Sequence, residues 1–365
     1  MSTDFPRITK ASVEAFVIPT DKPESDGTLE WNHTTLVLVE VHAGSTCGLG
    51  YTYSSRAAAI LIQDTLIPLI EHGDSMAVEQ HWDRMTHAIR NLGRPGISSM
   101  AIAAIDSALW DLKARLLDLP VAALLGQVRN RVPIYGSGGF TSYTDRELAE
   151  QLSGWAAQGI KHVKMKIGRD PARDEARVRI AREAIGPKVE LFVDANGACS
   201  RNEALDFCDR FARFDVKWFE EPVSSDDLEG LRLIRDRANV GIDITAGEYG
   251  FDLPYFRRMI DAGAVDVLQA DATRCAGITG LRKVAALCEA RSLPLSAHCA
   301  PALHLHPGCA MLPLRHLEYF HDHVRLENML FDGAPLPCDG NLRPDLSRPG
   351  SGLAFKHLDA RKFRT

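Results

Sequence analysis

The sequence predicts an α/β protein: a (β/α)7β barrel of the TIM type, with an α+β capping domain. Two observations lead to this fold class. From about residue 132 a short apolar run is followed by an amphipathic helix, and eight such runs occur at regular spacing, as in a parallel barrel. Most runs also end in an ionisable residue, and barrels of this kind hold their active sites at the C-terminal ends of the strands.

The N-terminal part has a different pattern, which indicates a separate module. It contains strand patterns and then helical patterns, at 8–20, 34–43 and 48–54 and around 57–72, 77–90 and 99–118. After residue 325 the chain becomes rich in proline and glycine and is expected to return to this module. We therefore predict a capping domain over 1–127, a barrel over 128–325 and a C-terminal segment over 326–365.

Composition excludes several classes of function. The chain has 365 residues and a formal net charge of -6, so neither nucleic acid nor an anionic membrane is an expected partner. No apolar run approaches the ~20 residues of a membrane helix. Eight cysteines without a CxxC pair, and a start without an apolar signal core, lead us to expect a cytoplasmic protein.

Three carboxylates end consecutive predicted strands: Asp194, Glu220 and Glu248. Carboxylates that converge in one barrel mouth repel each other and take up protons unless a cation compensates them. An all-oxygen set on a rigid frame suits Mg²⁺, whereas zinc is disfavoured because no thiolate or imidazole joins the set. The alternative is three separate salt bridges to surface lysines.

Two lysines interrupt the apolar run KHVKMKIG. Lys164 and Lys166 alternate with residues of the opposite face, so both point into the barrel, about 6.6 Å apart along the strand. Their repulsion, roughly 2.5 kcal/mol, favours loss of one proton. We therefore predict that one lysine is a neutral base and that the other stays cationic against a carboxylate substrate. The alternative is two lysines that extend to solvent from a frayed strand end.

Asp271 and His298 end the sixth and seventh predicted strands. A carboxylate that binds one ring nitrogen fixes the tautomer and raises the basicity of the other nitrogen. This pair is predicted to give or take a proton opposite Lys166. His304 and His306 alternate as metal ligands sometimes do, but without a third partner we interpret them as structural.

The motifs together resemble those of a known family. The resemblance to the enolase superfamily, in its mandelate racemase subgroup, spans nearly the whole chain and includes AIDSALWDLKARLLDLPVAALLG between the two modules. In the barrel it rests on KMK, VDAN, EEP and AGE on strands two to five, followed by Asp271, His298 and Glu318.

The resemblance implies a Mg²⁺ ion bound by Asp194, Glu220 and Glu248. It implies that the α-proton of a small carboxylate substrate is abstracted to give a metal-stabilised enediolate. In the family pattern the first glutamate of EEP is the ligand, so Glu221 is not expected to be one. We also expect a homo-oligomer.

The resemblance also implies the catalytic roles. Lys166 is the base on one face of the substrate, and His298 with Asp271 is the acid or base on the other. Lys164 is the electrostatic partner of the substrate carboxylate, and Glu318 donates a hydrogen bond to its oxygen. These roles agree with the charges inferred from the residues alone.

The reaction is predicted to be dehydration of an acid sugar to a 2-keto-3-deoxy acid. The capping stretches PTDKPESDGTLEWNH and GYTYSS are polar, which suits a hydroxylated acid. The alternatives are a racemase or epimerase of an α-substituted acid and an inactive acid-binding protein. One dehydratase branch carries a histidine where this chain has Asn196, so that branch is not expected. The predicted substrate-binding residues are Trp31, Asn32, Tyr51, Tyr53 and Asn196.

Overall fold

The computed structural model describes residues 5–365 and contains a closed barrel of eight parallel strands. The strands pair in chain order from β4 to β11, and β11 pairs with β4 to close the barrel. The barrel strands are β4 (Val132–Gly138), β5 (His162–Lys166), β6 (Glu190–Asp194), β7 (Val216–Glu220), β8 (Asp243–Ala246), β9 (Val267–Ala270), β10 (Leu295–Ala297) and β11 (Leu314–Phe320). The predicted fold class is confirmed.

The alternation of β5 shows how the sequence positions the site. Val163 and Met165 belong to the apolar layer between strands and helices. Lys164 points inward, where its Nζ lies 5.4 Å from the ring centre of Tyr135. Tyr135 is fully buried with aromatic side chains from other strands. The barrel interior is therefore filled by side chains, and its polar groups gather at one end.

Helices connect and cover the strands. Those before the barrel are α1 (Arg56–Leu61), continued by a π-helical turn (Ile62–Leu66), then α2 (Ile67–Ile70), α3 (Val78–Ala88), α4 (Ile97–Leu116) and α5 (Val121–Leu124). Those of the barrel and tail are α6 (Asp145–Ala157), α7 (Pro171–Ile185), α8 (Arg201–Ala212), α9 (Leu228–Arg237), α10 (Leu253–Asp261), α11 (Gly277–Ala290), α12 (Pro301–Gly308), α13 (His321–Leu330), α14 (His357–Ala360) and a 3-10 turn (Arg361–Phe363).

The capping module contains an antiparallel sheet of β1 (Ile8–Ser25), β2 (Glu30–Ala43) and β3 (Thr46–Tyr53). The first two strands are longer than predicted, because residues 19–33 continue the β1–β2 pairing across a bulge. The predicted loop is thus largely a hairpin. A Cβ at Gly27 in its turn would lie 2.5 Å from the carbonyl oxygen of Ala195, so the hairpin tip sits against the C-terminal end of β6.

The C-terminal residues contact both modules. Two short strands, β12 (Phe331–Asp332) and β14 (Ala354–Phe355), pair with each other, and β13 (Asn341–Leu342) pairs with β4. The last residue, Thr365, donates its N–H to the Ala15 carbonyl at 3.0 Å. The domain limits at 127 and 325 remain predictions.

Two further features concern the chain as a whole. None of the helices within residues 5–365 combines the length and apolarity that a membrane crossing requires. The eight cysteines, all of them in the described part of the chain, are free thiols.

Candidate active site

The three predicted carboxylates meet at the C-terminal end of the barrel. Asp194 and Glu220 are the last residues of β6 and β7 and pair in register, and Glu248 follows the end of β8. One oxygen from each of the three lies within 4.8 Å of the others. The side chains are buried, since even the most exposed, Glu248, has only 3% of its surface accessible.

The donor set fits a hard divalent cation. Burial, together with the adjacent Asp194 charge, raises the pKa of Glu220 to about 8, as expected for crowded carboxylates. Oxygen ligands from three rigid strand ends are what Mg²⁺ accepts. Asp194, Glu220 and Glu248 could therefore hold such an ion.

Both lysines face these carboxylates. Lys164 Nζ lies 2.5 Å from Glu220 Oε1, 2.8 Å from Glu318 Oε1 and 3.2 Å from Asp194 Oδ2. Lys166 Nζ lies 2.5 Å from Asp194 Oδ2. The two ammonium groups are thus each paired with negative charge.

The predicted lowering of a lysine pKa is wrong for this arrangement. Burial and the Lys164 charge do lower the pKa of Lys166, but Asp194 outweighs them, so the net pKa is raised. The pKa of Lys164 is likewise raised, because Glu220 and Glu318 outweigh its burial. The prediction from sequence counted repulsion between the lysines and omitted the carboxylates of the neighbouring strands.

His298 and Asp271 form the predicted pair. His298 Nδ1 lies 2.9 Å from Asp271 Oδ2, and its Nε2 lies 3.1 Å from Glu248 Oε2. Burial lowers the pKa of His298, but Cys299 and Glu248 raise it well above its usual value. Burial raises the pKa of Asp271, and the His298 contact reverses this to about 2. The imidazolium is therefore able to donate a proton.

Glu318 is an acceptor on both oxygens. Ser137 donates to Oε1 at 2.6 Å, and the Cys299 N–H donates to Oε2 at 2.9 Å. Burial raises the pKa of Glu318, but Lys164 lowers it more, to below its usual range. Both oxygens accept hydrogen bonds in this structure, and the predicted donor role of Glu318 toward a substrate stays a prediction.

The second pair of histidines has a structural geometry, as predicted. His304 Nε2 accepts from the Ala272 N–H at 2.8 Å, and its Nδ1 lies 3.0 Å from the Cys299 carbonyl. His306 Nδ1 accepts from the Ala122 N–H at 3.3 Å. Burial lowers the pKa of His306 to about 4, so this ring is neutral.

A polar pocket of about 560 Å³ opens beside the carboxylates. Asn196 and Glu221 line it, and within residues 5–365 neither Asn196 Oδ1 nor Glu221 Oε1 has a hydrogen-bond partner although both atoms are buried. Burial, with the Glu248 charge, raises the pKa of Glu221 well above its usual value. Both groups are free to bind a hydroxylated molecule.

The capping residues predicted to bind substrate divide into two groups. Tyr53 has a buried hydroxyl that finds no partner in the described chain, and its ring stacks on His323 at 3.6 Å. Tyr51 instead donates to Glu327 Oε1 at 2.6 Å and is only 1% exposed. The prediction for Tyr51 is therefore wrong, because its hydroxyl is bound to Glu327 of α13.

The hairpin residues contribute less than predicted. Trp31 donates its indole N–H to Glu24 Oε2 at 2.8 Å and meets Phe140 edge-on at 5.7 Å. Trp31 thus lies over the end of β4. Asn32 is exposed and bonds to the neighbouring His33, so the structure does not bring Asn32 into the carboxylate cluster.

Sequence reasoning missed Arg274. Its Nη1 donates to the Glu248 carbonyl at 3.0 Å and to Glu248 Oε1 at 3.4 Å, and its guanidinium lies 5.2 Å from the ring centre of Tyr249. Arg274 also lies 3.8 Å from Asp271 Oδ2. It stands in a loop without periodicity, so no pattern in the sequence indicated that it orients two site carboxylates.

The site is a set of buried carboxylates between a lysine and a histidine at the mouth of a parallel barrel. Such a site is typical of an enzyme that combines a metal ion with acid–base chemistry. Family models agree. Residues 13–126 match the mandelate racemase / muconate lactonizing enzyme N-terminal domain, and residues 147–359 match the enolase C-terminal domain-like family. The chain belongs to this mandelate racemase and muconate lactonizing enzyme family of the enolase superfamily, and it is an enzyme.

Three related proteins illustrate the similarity in sequence and structure. A mandelate racemase/muconate lactonizing enzyme-like protein from Rubrobacter xylanophilus superposes with a TM-score of 0.97 at 54% identity, over 99% of this chain and 100% of the other. The 3,6-anhydro-alpha-L-galactonate cycloisomerase of Streptomyces coelicolor is 34% identical over 293 residues, 79% of each chain. The L-talarate/galactarate dehydratase from Salmonella typhimurium, liganded with Mg and L-lyxarohydroxamate, superposes with a TM-score of 0.90 at 27% identity, over 99% of this chain and 94% of the other.

Proposed function

We propose that the protein is a Mg²⁺-dependent dehydratase of acid sugars. One observation carries the proposal: Lys166 and His298 lie at opposite ends of the carboxylate cluster. Lys166 contacts Asp194 at 2.5 Å, and His298 contacts Glu248 at 3.1 Å. A substrate held over the cluster is thereby placed between a base and an acid.

Asp194, Glu220 and Glu248 would hold the metal ion. When bound, Mg²⁺ supplies positive charge that polarises the substrate carboxylate and acidifies its α-carbon. The buried all-oxygen set supports this assignment, as does the magnesium in the related dehydratase structure. Lys164 contacts two of these carboxylates, Asp194 and Glu220, and adds positive charge near the substrate carboxylate.

Lys166 takes the α-proton of the substrate. Burial and Lys164 both lower its pKa, and Asp194 opposes them. Once Asp194 is committed as a ligand it no longer compensates Lys166 fully, so the neutral amine becomes more accessible. Proton abstraction then gives an enediolate next to the positive charges of the site.

His298 delivers the second proton. Asp271 accepts from its Nδ1–H, so the proton on Nε2 points toward the cluster and toward Glu248. Donation to the β-hydroxyl lets that group leave as water, and the resulting enol tautomerises to a 2-keto-3-deoxy acid. Glu318 fixes this strand end by accepting from the N–H of the next residue, Cys299.

Three unsatisfied polar groups support a polyhydroxylated substrate. The Tyr53 hydroxyl, Asn196 Oδ1 and Glu221 Oε1 are buried without partners in the described chain. Substrate hydroxyls would satisfy them, whereas an aromatic acid would leave them unpaired at a cost of about 1–3 kcal/mol each.

Cycloisomerisation is a second candidate, because a cycloisomerase is a relative at 34% identity. Racemisation or epimerisation is a third, since Lys166 and His298 could also exchange a proton across the α-carbon. All of these reactions begin with abstraction of the α-proton, and they differ in the fate of the enediolate.

The test is a screen of aldonic and aldaric acids with Mg²⁺, followed by detection of 2-keto acids and by NMR for isomers. We expect a 2-keto-3-deoxy product from at least one acid, lost in Lys166→Ala. Lys161→Ala is the matched control, because Lys161 is an exposed lysine just before the same strand. A racemised or ring-opened product without keto acid would contradict dehydration and support one of the other two reactions. No product and no exchange with any acid would favour an inactive acid-binding protein.

A further inference from the structure

A second group of potential metal ligands lies next to the carboxylate cluster. His298 Nε2 is 3.3 Å from Cys299 Sγ and 3.7 Å from Glu318 Oε2. One ligand atom of each lies within 4.8 Å of the other two, and all three residues are buried. This set combines nitrogen, sulfur and oxygen, unlike the all-oxygen set beside it.

The backbone brings His298 and Cys299 together in an unusual way. β10 ends at Ala297, so both residues lie in the turn that follows the strand, where their side chains meet. Cys299 has φ of 51° and Ala300 has φ of 39°, two consecutive left-handed residues that are not glycine. Such strain persists only where surrounding contacts impose it, and it occurs preferentially at functional sites.

Several contacts hold this strained turn. Glu318 accepts the Cys299 N–H at 2.9 Å, and His323 Nδ1 accepts the Ala300 N–H at 3.2 Å. His304 Nδ1 lies 3.0 Å from the carbonyl oxygens of both residues of the turn. The position of the thiol is therefore fixed by its surroundings.

His298 is oriented as a metal-binding histidine is. Asp271 accepts from Nδ1–H at 2.9 Å, which leaves Nε2 available to a metal. A carboxylate on the far nitrogen is the usual second partner of a histidine that binds zinc.

The distances suit a tetrahedral ion. Zinc bonds of about 2.3 Å to sulfur and about 2.0–2.1 Å to nitrogen and oxygen place neighbouring ligands roughly 3.3–3.6 Å apart. The observed separations from His298 Nε2 are 3.3 Å to the thiol and 3.7 Å to Glu318. Glu248 Oε2, one of the proposed Mg²⁺ ligands, also lies 3.1 Å from the same nitrogen.

We propose that His298, Cys299 and Glu318 form a second metal site, which binds Zn²⁺ or another thiophilic divalent cation and inhibits the enzyme. On binding, the Cys299 thiol proton and the His298 Nε2 proton both leave to solvent, and the thiolate and the neutral imidazole become ligands. The ion then occupies His298 Nε2, so this nitrogen can no longer carry a proton. The inhibition rests on the proposed function, whereas the metal site does not.

Cobalt absorption tests the site independently of activity. Co²⁺ is added to the enzyme saturated with Mg²⁺, and the near-ultraviolet band of a thiolate–cobalt bond is recorded. We expect the band in the wild type and its loss in Cys299→Ser and in Cys299→Ala. Cys47→Ser is the matched control, because the Cys47 thiol also lies beside an imidazole, 3.7 Å from His42 Nε2. This variant should retain the band. A band that persists without Cys299, or a wild type without a band, would overturn the site.

Inhibition is measured on the same variants with Zn²⁺ and saturating Mg²⁺. Loss of a residue that only hydrogen-bonds to a metal ligand weakens metal binding roughly 10- to 100-fold. The Cys299 thiol is a direct ligand in this proposal, so its loss should raise the Zn²⁺ concentration for half-inhibition by at least that factor. Inhibition of each Cys299 variant is expressed relative to the turnover of that variant without Zn²⁺. Inhibition that is unchanged in them would overturn the inhibitory role. A Cys299-dependent band without inhibition would leave the metal site intact and contradict the proposed function of His298.

Discussion

Lys166 Nζ lies 2.5 Å from Asp194 Oδ2, and the two residues pair in register on adjacent strands. The base and a metal ligand of the proposed site are therefore in direct contact. In this state Asp194 holds Lys166 protonated. Metal binding and availability of the base are consequently linked through one carboxylate.

Removal of the metal should abolish turnover and leave the fold intact. The carboxylates keep partners without an ion, since Lys164 contacts Glu220 and Lys166 contacts Asp194, and the apolar layers of the barrel do not depend on the ion. Treatment with a chelator should leave the far-ultraviolet circular dichroism unchanged, and added Mg²⁺ should restore activity. Full turnover in excess chelator would contradict the metal assignment.

Lys164→Met should destabilise the protein. The ammonium is fully buried and bridges three carboxylates, and removing one partner of a buried charge network costs about 3–5 kcal/mol. Urea unfolding measures this, with Lys161→Met as a control at an exposed position before the same strand. A free energy of unfolding that equals or exceeds that of the wild type would show that the carboxylates do not need this charge.

Tyr53→Phe should weaken substrate binding without a loss of stability. In residues 5–365 the Tyr53 hydroxyl is buried without a partner, so its removal breaks no internal hydrogen bond. A hydrogen bond to substrate is worth about 0.5–1.5 kcal/mol, which predicts that KM rises roughly two- to twelvefold while Tm is unchanged or higher. An unchanged KM would show that the hydroxyl does not reach the substrate.

Glu327→Gln should make stability less dependent on pH. Burial raises the pKa of Glu327 from 4.5 to about 8, although Tyr51 and the Ala302 N–H lower it in part. The folded state therefore binds the proton more tightly than the unfolded state. Its stabilising effect is fully present below about pH 4.5 and is lost as pH rises through about 8.

The glutamine variant imitates the neutral acid, because its amide can offer oxygen to the Ala302 N–H and NH₂ to the Tyr51 hydroxyl. Relative to the wild type it should therefore gain stability between pH 5 and pH 8, by roughly 2–4 kcal/mol. Thermal unfolding of both proteins across this range measures the difference. A difference that is constant with pH would mean that Glu327 does not carry the raised pKa.

The sequence predicts the barrel because two periodic signals coincide there. Alternation places Lys164 and Lys166 inside, and the ends of apolar runs mark Asp194 and Glu220. These features are local in sequence. Charge compensation is not local, so the contact between Lys166 and Asp194, which reverses the predicted direction of the pKa, was not predictable from one strand.

Distant contacts and an irregular turn account for the other differences. Tyr51 and Tyr53 share a face of β3, yet one hydroxyl binds Glu327 and the other stays free within the described chain. The partner lies far away in the sequence, so alternation could not separate the two tyrosines. Cys299 was not expected at the site because two consecutive left-handed residues, Cys299 and Ala300, break the alternation that the prediction assumes.

Exchange of the α-proton in D₂O with Mg²⁺ tests the roles of Lys166 and His298 most directly, once an acid-sugar substrate is found. The measurement is deuterium incorporation at C2 of recovered substrate, alongside keto acid formation, in the wild type, Lys166→Ala and His298→Asn. We predict that His298→Asn still exchanges the proton but forms no keto acid, because abstraction by Lys166 survives and expulsion of the hydroxyl does not. Lys166→Ala should do neither. Exchange that survives in Lys166→Ala, or defects that are symmetric between the two variants, would contradict the assignment of Lys166 as base and His298 as acid.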